Sequence, residues 1–241
     1  MKGLILAAGK GTRLNGAAVK PKCLVDIGGT TLLQRQINSL RRANINDIVI
    51  VVGFEGDMIR KACGEDICFV ENSRYAETSS LYSLWLARQH LSEGFVVLNS
   101  DVLFHQHMLD RLLESPHDDA LLISYCQTMS TPLGEEEMKV KVRRDAVVDI
   151  SKEMDPSEAD GENVGIVKFG LAGANLLVKY MNELICGGAL REWAPRAFLQ
   201  FATFHKLHAV STGGYPWIEI DFPEDYHRAL NEVYPQIEMI S

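Results

Sequence analysis

Unbroken apolar runs recur along the first half of the chain, at residues 4–8 (LILAA), 48–52 (IVIVV), 67–70 (ICFV), 95–98 (FVVL) and 120–124 (ALLIS). Runs without alternation predict strands buried on both faces, as in a parallel sheet covered by helices. Between them the apolar period changes to that of a helix. Over residues 31–43, Leu33, Ile37 and Leu40 fall on one face, and Thr31 with Gln34 forms a capping-box pattern at the start. Helices are also expected over 55–63, 81–90 and 106–115. The resulting order, β-α-β-α-β-α-β with short connections, predicts a parallel sheet between two helical layers.

The second half is less regular. Residues 130–138 (STPLGEEEM) read as a loop, 139–144 and 146–151 as a hairpin turning at Asp145, and 153–163 as an acidic, turn-rich stretch. Together 130–170 is expected to be an insertion that carries part of a substrate pocket. Helices follow over 174–186 and 191–203, strands over 206–211 and 217–221, and a last helix from 223. Asp221 is placed to N-cap that helix, with Pro223 in its first turn. The expectation is one domain over 1–241, in two halves, 1–125 and 126–241.

Charge changes the picture at one place. The 241-residue chain has a net charge of −8, with 46% apolar and 23% charged residues. This composition suits a globular protein and argues against general nucleic-acid binding, which requires a basic surface. The five cysteines are scattered, with no C-x-x-C pair, as expected of thiols in a reducing cytoplasm. No run is long enough to span a membrane. Against this acidic background, residues 1–25 hold Lys2, Lys10, Arg13, Lys20 and Lys22 and no acid.

Those cations flank Gly9-Lys10-Gly11-Thr12-Arg13, directly after the first apolar run. Glycine lets the backbone turn tightly and brings N–H groups close to a ligand. Clustered cations repel one another unless an anion sits among them, so the loop predicts a polyphosphate. It is not a dinucleotide fingerprint, because Leu14 stands at the third glycine position, and not a Walker loop, because no Gly-Lys-Ser/Thr follows. Arg13 can fork onto phosphate oxygens, and Lys22, stiffened by Pro21, suits a fixed point charge. Asp101 ends a buried strand, at the edge where ligands of open α/β sheets bind. Alternation points Glu219 and Asp221 to one face. Three acids opposite a polyphosphate predict a bridging Mg²⁺; helix capping and solvated carboxylates are the plainer roles. Trp193, Tyr215 and Trp217 are candidates for boxing a cationic head group, with core packing as the alternative. Lys139 and Lys168 are candidates for a second phosphate. His105-x-His107 lacks a third zinc ligand.

LILAAGKGTRL followed by PKCLV resembles the signature of nucleotidyltransferases that join a nucleoside triphosphate to a sugar or alcohol phosphate. With INDIVIVVGF, ENSRYAETSSLYSLWLA and PWIEIDFPEDYHRA, the chain most resembles bacterial CTP:phosphocholine and 2-aminoethylphosphonate cytidylyltransferases. The resemblance implies a three-layer α/β/α, Rossmann-like fold with a mostly parallel mixed sheet and a small β insertion. It implies that Leu6, Ala7, Ala8 and Gly9 line the base, that Lys10, Gly11, Thr12 and Arg13 wrap the triphosphate, and that Lys22 stabilises transition-state charge. Asp101, Glu219 and Asp221 would hold Mg²⁺, and Ser79, Ser80 and Ser83 fall where relatives read the pyrimidine. The sequence departs from its relatives in carrying Ser79-Ser80 where they have Asn-Asn. Residues 14–19 lack the usual proline, a feature similar to inositol-phosphate cytidylyltransferases. The expected partners are CTP or another nucleoside triphosphate and a small phosphate or phosphonate acceptor, with a homodimer allowed. The rivals are a sugar-1-phosphate or inositol-1-phosphate nucleotidyltransferase, a glycosyltransferase and a nucleotide sensor. A glycosyltransferase would carry Asp-x-Asp, and here Asn99 stands two residues before Asp101. A sensor would not need Lys22, Asp101, Glu219 and Asp221 together.

Overall fold

The computed structural model describes residues 1–15, 20–64, 66–129 and 132–240. Residues 16–19 of the cationic loop and 130–131 of the expected 130–138 loop lie outside the described residues. The first half runs β1 (Lys2–Ala7), α1 (Thr12–Asn15), β2 (Asp26–Ile27), β3 (Thr30–Thr31), α2 (Leu32–Arg42), β4 (Ile48–Val52), α3 (Gly56–Cys63), β5 (Cys68–Glu71), α4 (Ser80–Leu86), β6 (Phe95–Asn99), β7 (Val102–Phe104), α5 (Gln106–Glu114) and β8 (Ala120–Tyr125). The second half adds β9 (Lys139–Arg143), β10 (Ala146–Ser151), β11 (Gly161–Phe169), α6 (Leu171–Cys186), α7 (Pro195–Phe204), β12 (His208–Ser211), β13 (Trp217–Glu219), α8 (Pro223–Arg228) and α9 (Tyr234–Ile240).

Among the described residues, nine strands form the main sheet in the order β5-β4-β1-β6-β11-β8-β12-β10-β9. The pairs β4–β5, β1–β4, β1–β6 and β8–β12 are parallel, and the rest are antiparallel. Alternate residues of each parallel strand face opposite layers. Leu4, Leu6, Val49, Val51, Phe95 and Val97 pack beneath α4, α6 and α7. Ile5, Ile50, Val96 and Leu98 pack beneath α2, α3 and α5. This double burial is why the strands read as apolar runs.

Two expectations are corrected. Residues 161–169 are not a turn and the end of an insertion but the fully buried strand β11, set between β6 and β8 in mid-sheet. Its polar residues Glu162, Asn163 and Lys168 hide it, as does an irregularity between Asn163 and Val167 that interrupts the alternation. Gly165, at φ +79°, sits within that irregularity, where an added Cβ would meet the Asn99 side chain at 2.6 Å. β11 also pairs with β9 at Gly161 and Glu162, so β11, β8, β12, β10 and β9 close into a ring. The second correction concerns helix ends. α6 starts three residues early and α7 is confined to Pro195–Phe204. Thr31 does cap α2, accepting a hydrogen bond from the Gln34 N–H at 3.2 Å, but the Gln34 side chain turns to Asn38.

Candidate active site

The cationic loop leaves β1 at the carboxyl edge of the sheet, as its strand–glycine pattern predicts. Gly11 has φ +59°, and an added Cβ would lie 2.6 Å from Lys22 Cβ. Glycine is therefore what lets the loop close over Lys22. Pro21 precedes a single 3₁₀ turn, Lys22–Leu24, that buries Cys23 and Leu24 and fixes the direction of the lysine.

Lys22 is the hub. Its ammonium lies 2.8 Å from Asp101 Oδ2 and 2.5 Å from Asp221 Oδ1, and its side chain is 13% exposed. Burial alone would pull its pKa down; Asp101 and Asp221 instead hold it above the ordinary lysine value. Arg13 approaches the other Asp221 oxygen at 3.3 Å and Glu136 at 3.6 Å. Burial disfavours the Asp221 anion, yet Lys22 and Arg13 keep its pKa below the usual range. For Glu219, burial and then the neighbouring Asp101 and Asp221 charges push the carboxyl up to about 8.

Three acids meet because of a small antiparallel ribbon. β7 and β13 pair Glu219 with Val102, the residue after Asp101, and Ile220 N–H donates to Asp101 carbonyl at 2.9 Å. Gln36, 1% exposed, donates to the carbonyls of Asn99 and Val102, both at 2.8 Å. It pins both ends of the turn that carries Asp101. The expectation that Asp221 N-caps the last helix is corrected. Asp225 reaches back to the backbone N–H groups of Asp221 and Phe222, at 3.1 and 2.9 Å, which leaves the Asp221 carboxylate to the site.

Asp101, Glu219 and Asp221 offer oxygens within 4.8 Å of one another. Asp101 Oδ1 is buried and accepts no hydrogen bond among the described residues. An orphaned carboxylate oxygen beside two further acids is the hard-oxygen donor set of a divalent cation such as Mg²⁺. The residues present fit such an ion.

Two cavities meet at these acids. The first, about 380 Å³, is lined by Leu6 to Arg13, Lys22, Ser79, Ser80, Ser83, Asp101 and, from the second half, Lys152, Asn163 and Trp193. The second, about 420 Å³, is lined by Ser124, Glu162, Tyr215, Trp217, Phe222 and Arg228, among others. Glu219 and Asp221 line both. The expected base-reading serines therefore share a cleft with the cationic loop. Ser80 Oγ accepts from Ala194 N–H at 2.8 Å and Ser83 Oγ accepts from Asn72 Nδ2 at 3.0 Å, so each hydroxyl keeps its proton to donate. Tyr215 and Trp217 border the second cavity, with Tyr215 stacked on His105 at 4.9 Å. Trp193 faces the first cavity instead, beneath Lys152.

Lys139 and Lys168 reach neither cavity, a correction to their expected phosphate role. The Lys139 ammonium is buried on the carbonyls of Glu135, Glu137 and Lys152, at 3.0, 3.3 and 2.8 Å. Lys168 holds the carbonyls of Leu113 and Ser115, at 3.2 and 3.1 Å. Burial of an ammonium against carbonyls is a tertiary fact that a lone lysine in a sequence does not announce. Sequence reasoning missed Gln36, Asn72, Lys152, Glu162 and Asn163. Asn72 stood in the quoted stretch ENSRYAETSS, and Lys152, Glu162 and Asn163 stood within 130–170, the stretch expected to carry part of a substrate pocket, but none was singled out as a residue.

An α/β/α sheet with a glycine-rich cationic loop at its carboxyl edge, facing an acid cluster across a cleft, defines a nucleotidyltransferase. The chain belongs to the MobA-like NTP transferase family, whose domain matches residues 3–150. It is 35% identical over 121 residues to choline-phosphate cytidylyltransferase of Streptococcus pneumoniae, a match covering 48% of this chain and 52% of that protein. The chain thus matches about half the length of that relative. It is 26% identical to choline-phosphate cytidylyltransferase of Haemophilus influenzae over 99% of this chain and 100% of that one. It is 24% identical to CTP:phosphoglutamine cytidylyltransferase of Campylobacter jejuni over 93% and 97%. Among solved structures, the CTP:phosphocholine cytidylyltransferase from S. pneumoniae superposes with TM-score 0.76 at 23% identity, covering 100% and 99% of the two chains. The inositol-1-phosphate CTP transferase from T. maritima gives 0.79 at 24%, covering 99% and 95%. These two structures establish the fold.

Proposed function

We propose that the protein is a Mg²⁺-dependent cytidylyltransferase. It would join CTP to a phosphorylated or phosphonate amino-alcohol (phosphocholine, phosphoethanolamine or 2-aminoethylphosphonate) and release pyrophosphate. The observation that carries this reading is the meeting of two cavities at Glu219 and Asp221, beside Asp101 and Lys22. One cavity is glycine- and cation-lined, as a triphosphate requires. The other is acidic and aromatic, as a positively charged head group requires. A sugar or inositol phosphate offers no cation to the acidic wall.

In this reading the cytosine lies by Leu6 to Gly9 and meets the hydroxyls of Ser79, Ser80 and Ser83. The triphosphate lies along Lys10 to Arg13. The acceptor enters from the second cavity, and its phosphate or phosphonate oxygen attacks the α-phosphorus. A new P–O bond forms, the bond from α-phosphorus to the bridging oxygen breaks, and pyrophosphate leaves with that oxygen. The nucleophile is ionised at neutral pH, so no general base is needed. Lys22 and Arg13 supply fixed positive charge, and catalysis is positioning plus electrostatics. Mg²⁺, when held by Asp101, Glu219 and Asp221, would supply charge neutralisation at the phosphates. Phe222 packs under the Arg13 guanidinium, 5.4 Å from ring centre to Cζ, and steadies it.

Pyrophosphate release measured with each of four nucleoside triphosphates against a panel of alcohol phosphates, aminoalkylphosphonates and sugar-1-phosphates tests the proposal. The expected result is turnover with CTP and an amino-bearing acceptor. Turnover with sugar-1-phosphates alone would overturn the acceptor class, and none with any pair would overturn the enzyme.

A further inference from the structure

We infer that His117, Asp145 and His208 form a second metal site, for a transition-metal ion of the Zn²⁺ class, at the edge of the sheet opposite the acid cluster. Each residue offers one ligand atom, and the three atoms lie within 4.8 Å of one another. None of the three residues lines either cavity. β12 runs parallel to β8. Both run with β1 and β6, because β11 is antiparallel to β6 and to β8. His208 opens β12, whereas the cationic loop and Asp101 follow the ends of β1 and β6. The two sites therefore lie at opposite ends of the strands, and this one stands apart from the cytidylyltransferase reading.

Three elements bring these residues together. His117 lies between α5 and β8, Asp145 at the tip of the β9–β10 hairpin, and His208 at the start of β12. Backbone hydrogen bonds fix two of the positions. His208 N–H donates to the Asp119 carbonyl at 3.0 Å, and the Asp145 carbonyl accepts from Ala209 N–H at 2.8 Å. Asp145 has φ +65°, a left-handed conformation that Asp and Asn adopt more readily than other residues with a side chain. Its Oδ2 lies 3.2 Å from His208 Nδ1. Tetrahedral ligands of zinc, each about 2.0–2.1 Å from the ion, stand roughly 3.3 Å apart. This pair already has the spacing of two neighbouring ligands. Lys206 lies 3.2 Å from Oδ1 and 3.5 Å from Oδ2. It orients the carboxylate by the nearer oxygen and leaves Oδ2 to ligate.

The third ligand comes from an unusual ring pair. His117 and His208 lie face to face, with centroids 3.5 Å apart and planes within 4°. The His117 ring makes no hydrogen bond among the described residues. An imidazole lone pair lies in the plane of its ring, so parallel rings do not converge on one ion. On binding, the His117 ring turns out of the stack, as its place between helix and strand permits. Two imidazole nitrogens and one carboxylate oxygen suit Zn²⁺ and its neighbours, whereas Mg²⁺ takes oxygen donors. Three protein ligands leave a fourth position for water. The role is structural. β10 meets β12 at one register pair, Ala146 with His208, and an ion held by Asp145 and His208 clamps that seam of the strand ring.

The test titrates Zn²⁺ into the tag-free, chelator-stripped full chain by calorimetry. Excess Mg²⁺ competes for the acid cluster, and the exposed thiols of Cys68, Cys126 and Cys186 are alkylated beforehand. The expected result is one Zn²⁺ per chain and a melting temperature raised roughly 2–4 °C at ten times Kd. His117→Ala changes a residue outside helix and strand, and Asp145→Asn keeps a side chain that accepts the left-handed backbone. Each should weaken binding by at least the roughly 10- to 100-fold that loss of a second-sphere partner costs, with parental circular dichroism. His107→Ala, which removes the separate His107–Asp110 pair, should bind as the parent does. Co²⁺ in place of Zn²⁺ should give the intense visible absorption of a four-coordinate site in the parent and lose it in His117→Ala. No Zn²⁺ uptake by the parent, parental affinity in both His117→Ala and Asp145→Asn, or loss of binding in His107→Ala overturns the site. Each of these results leaves the proposed cytidylyl transfer standing, because none reads turnover.

Discussion

Lys22 reaches Asp101 at 2.8 Å and Asp221 at 2.5 Å, and it is the cation that lets three acids share one small volume. Its replacement removes that neutralisation and, in the proposed mechanism, the positive charge offered to the phosphates. Lys22→Met is expected to lower kcat by about 10²- to 10³-fold, the usual loss for one electrostatic contact at a reacting centre, while circular dichroism stays parental. Single-turnover rates check this, and a folded variant with parental rate would remove Lys22 from the chemistry. Glu162 sets a different observable. Its carboxyl is raised to about 8 in the folded chain, against 4.5 for an ordinary glutamate. Between those values the folded chain holds a proton that the unfolded chain has released. Stability is therefore fully present below pH 4.5 and is lost as pH rises towards 8. Glu162→Gln should make that decline shallower, with a gain over the parent at pH 8 and little at pH 4.5. Glu219 contributes a decline of its own, so part remains. Thermal melts at the two ends of the range read the effect, and parallel pH profiles for parent and variant would refute it.

At the scale of elements, the turn after β6 and the ribbon of β7 with β13 do the positioning. Gln36 lies on α2, yet its amide holds the carbonyls on both sides of Asp101. Gln36→Leu keeps the size and leaves both carbonyls in need of a partner. It is expected to cost about 1–3 kcal/mol of stability and to lower kcat more than it raises the KM for CTP, because it loosens Asp101 and not the cationic loop. Urea melts and steady-state kinetics separate these effects; unchanged kcat would confine Gln36 to stability. The first-half elements were legible because one physical cause, burial on both faces, writes itself as apolar runs. β11 was not legible for the opposite reason. Its Glu162, Asn163 and Lys168 are polar residues buried beside a cavity or against carbonyls, and its register breaks near Gly165. Periodicity cannot distinguish such a strand from a loop.

At the scale of the molecule, the reacting point is assembled from segments far apart in the chain: the loop after β1, the turn after β6 and the end of β13. The first cavity draws on both 1–125 and 126–241, so the proposed nucleotide cleft is shared by the two halves. A cation bridging Asp101, Glu219 and Asp221 ties these segments together and should stabilise the fold by mass action. With millimolar affinity, a tenfold excess of Mg²⁺ gives about 1.4 kcal/mol, or roughly 2–4 °C in melting temperature. Asp101→Asn should abolish the rise, and chelation should reverse it in the parent. A rise of equal size in the variant would place the ion elsewhere. Among the described residues no helix is long and apolar enough to cross a membrane.

The amino-acid sequence alone determined the sheet and the cationic loop at its edge. Apolar runs specify the sheet, glycines and cations follow the first strand, and Glu219 and Asp221 stand two residues apart, the spacing that brings both to the acid cluster although β13 itself ends at Glu219. All of these are local relations, carried by neighbours in the chain. Tertiary structure alone decided which polar residues are already satisfied. Lys139 and Lys168 are consumed by backbone carbonyls, Asp225 takes the capping role expected of Asp221, and Glu162 is buried with no hydrogen bond or ion pair among the described residues. Whether a charge is free depends on what the fold brings within hydrogen-bond reach, and that information is spread over residues with no fixed spacing.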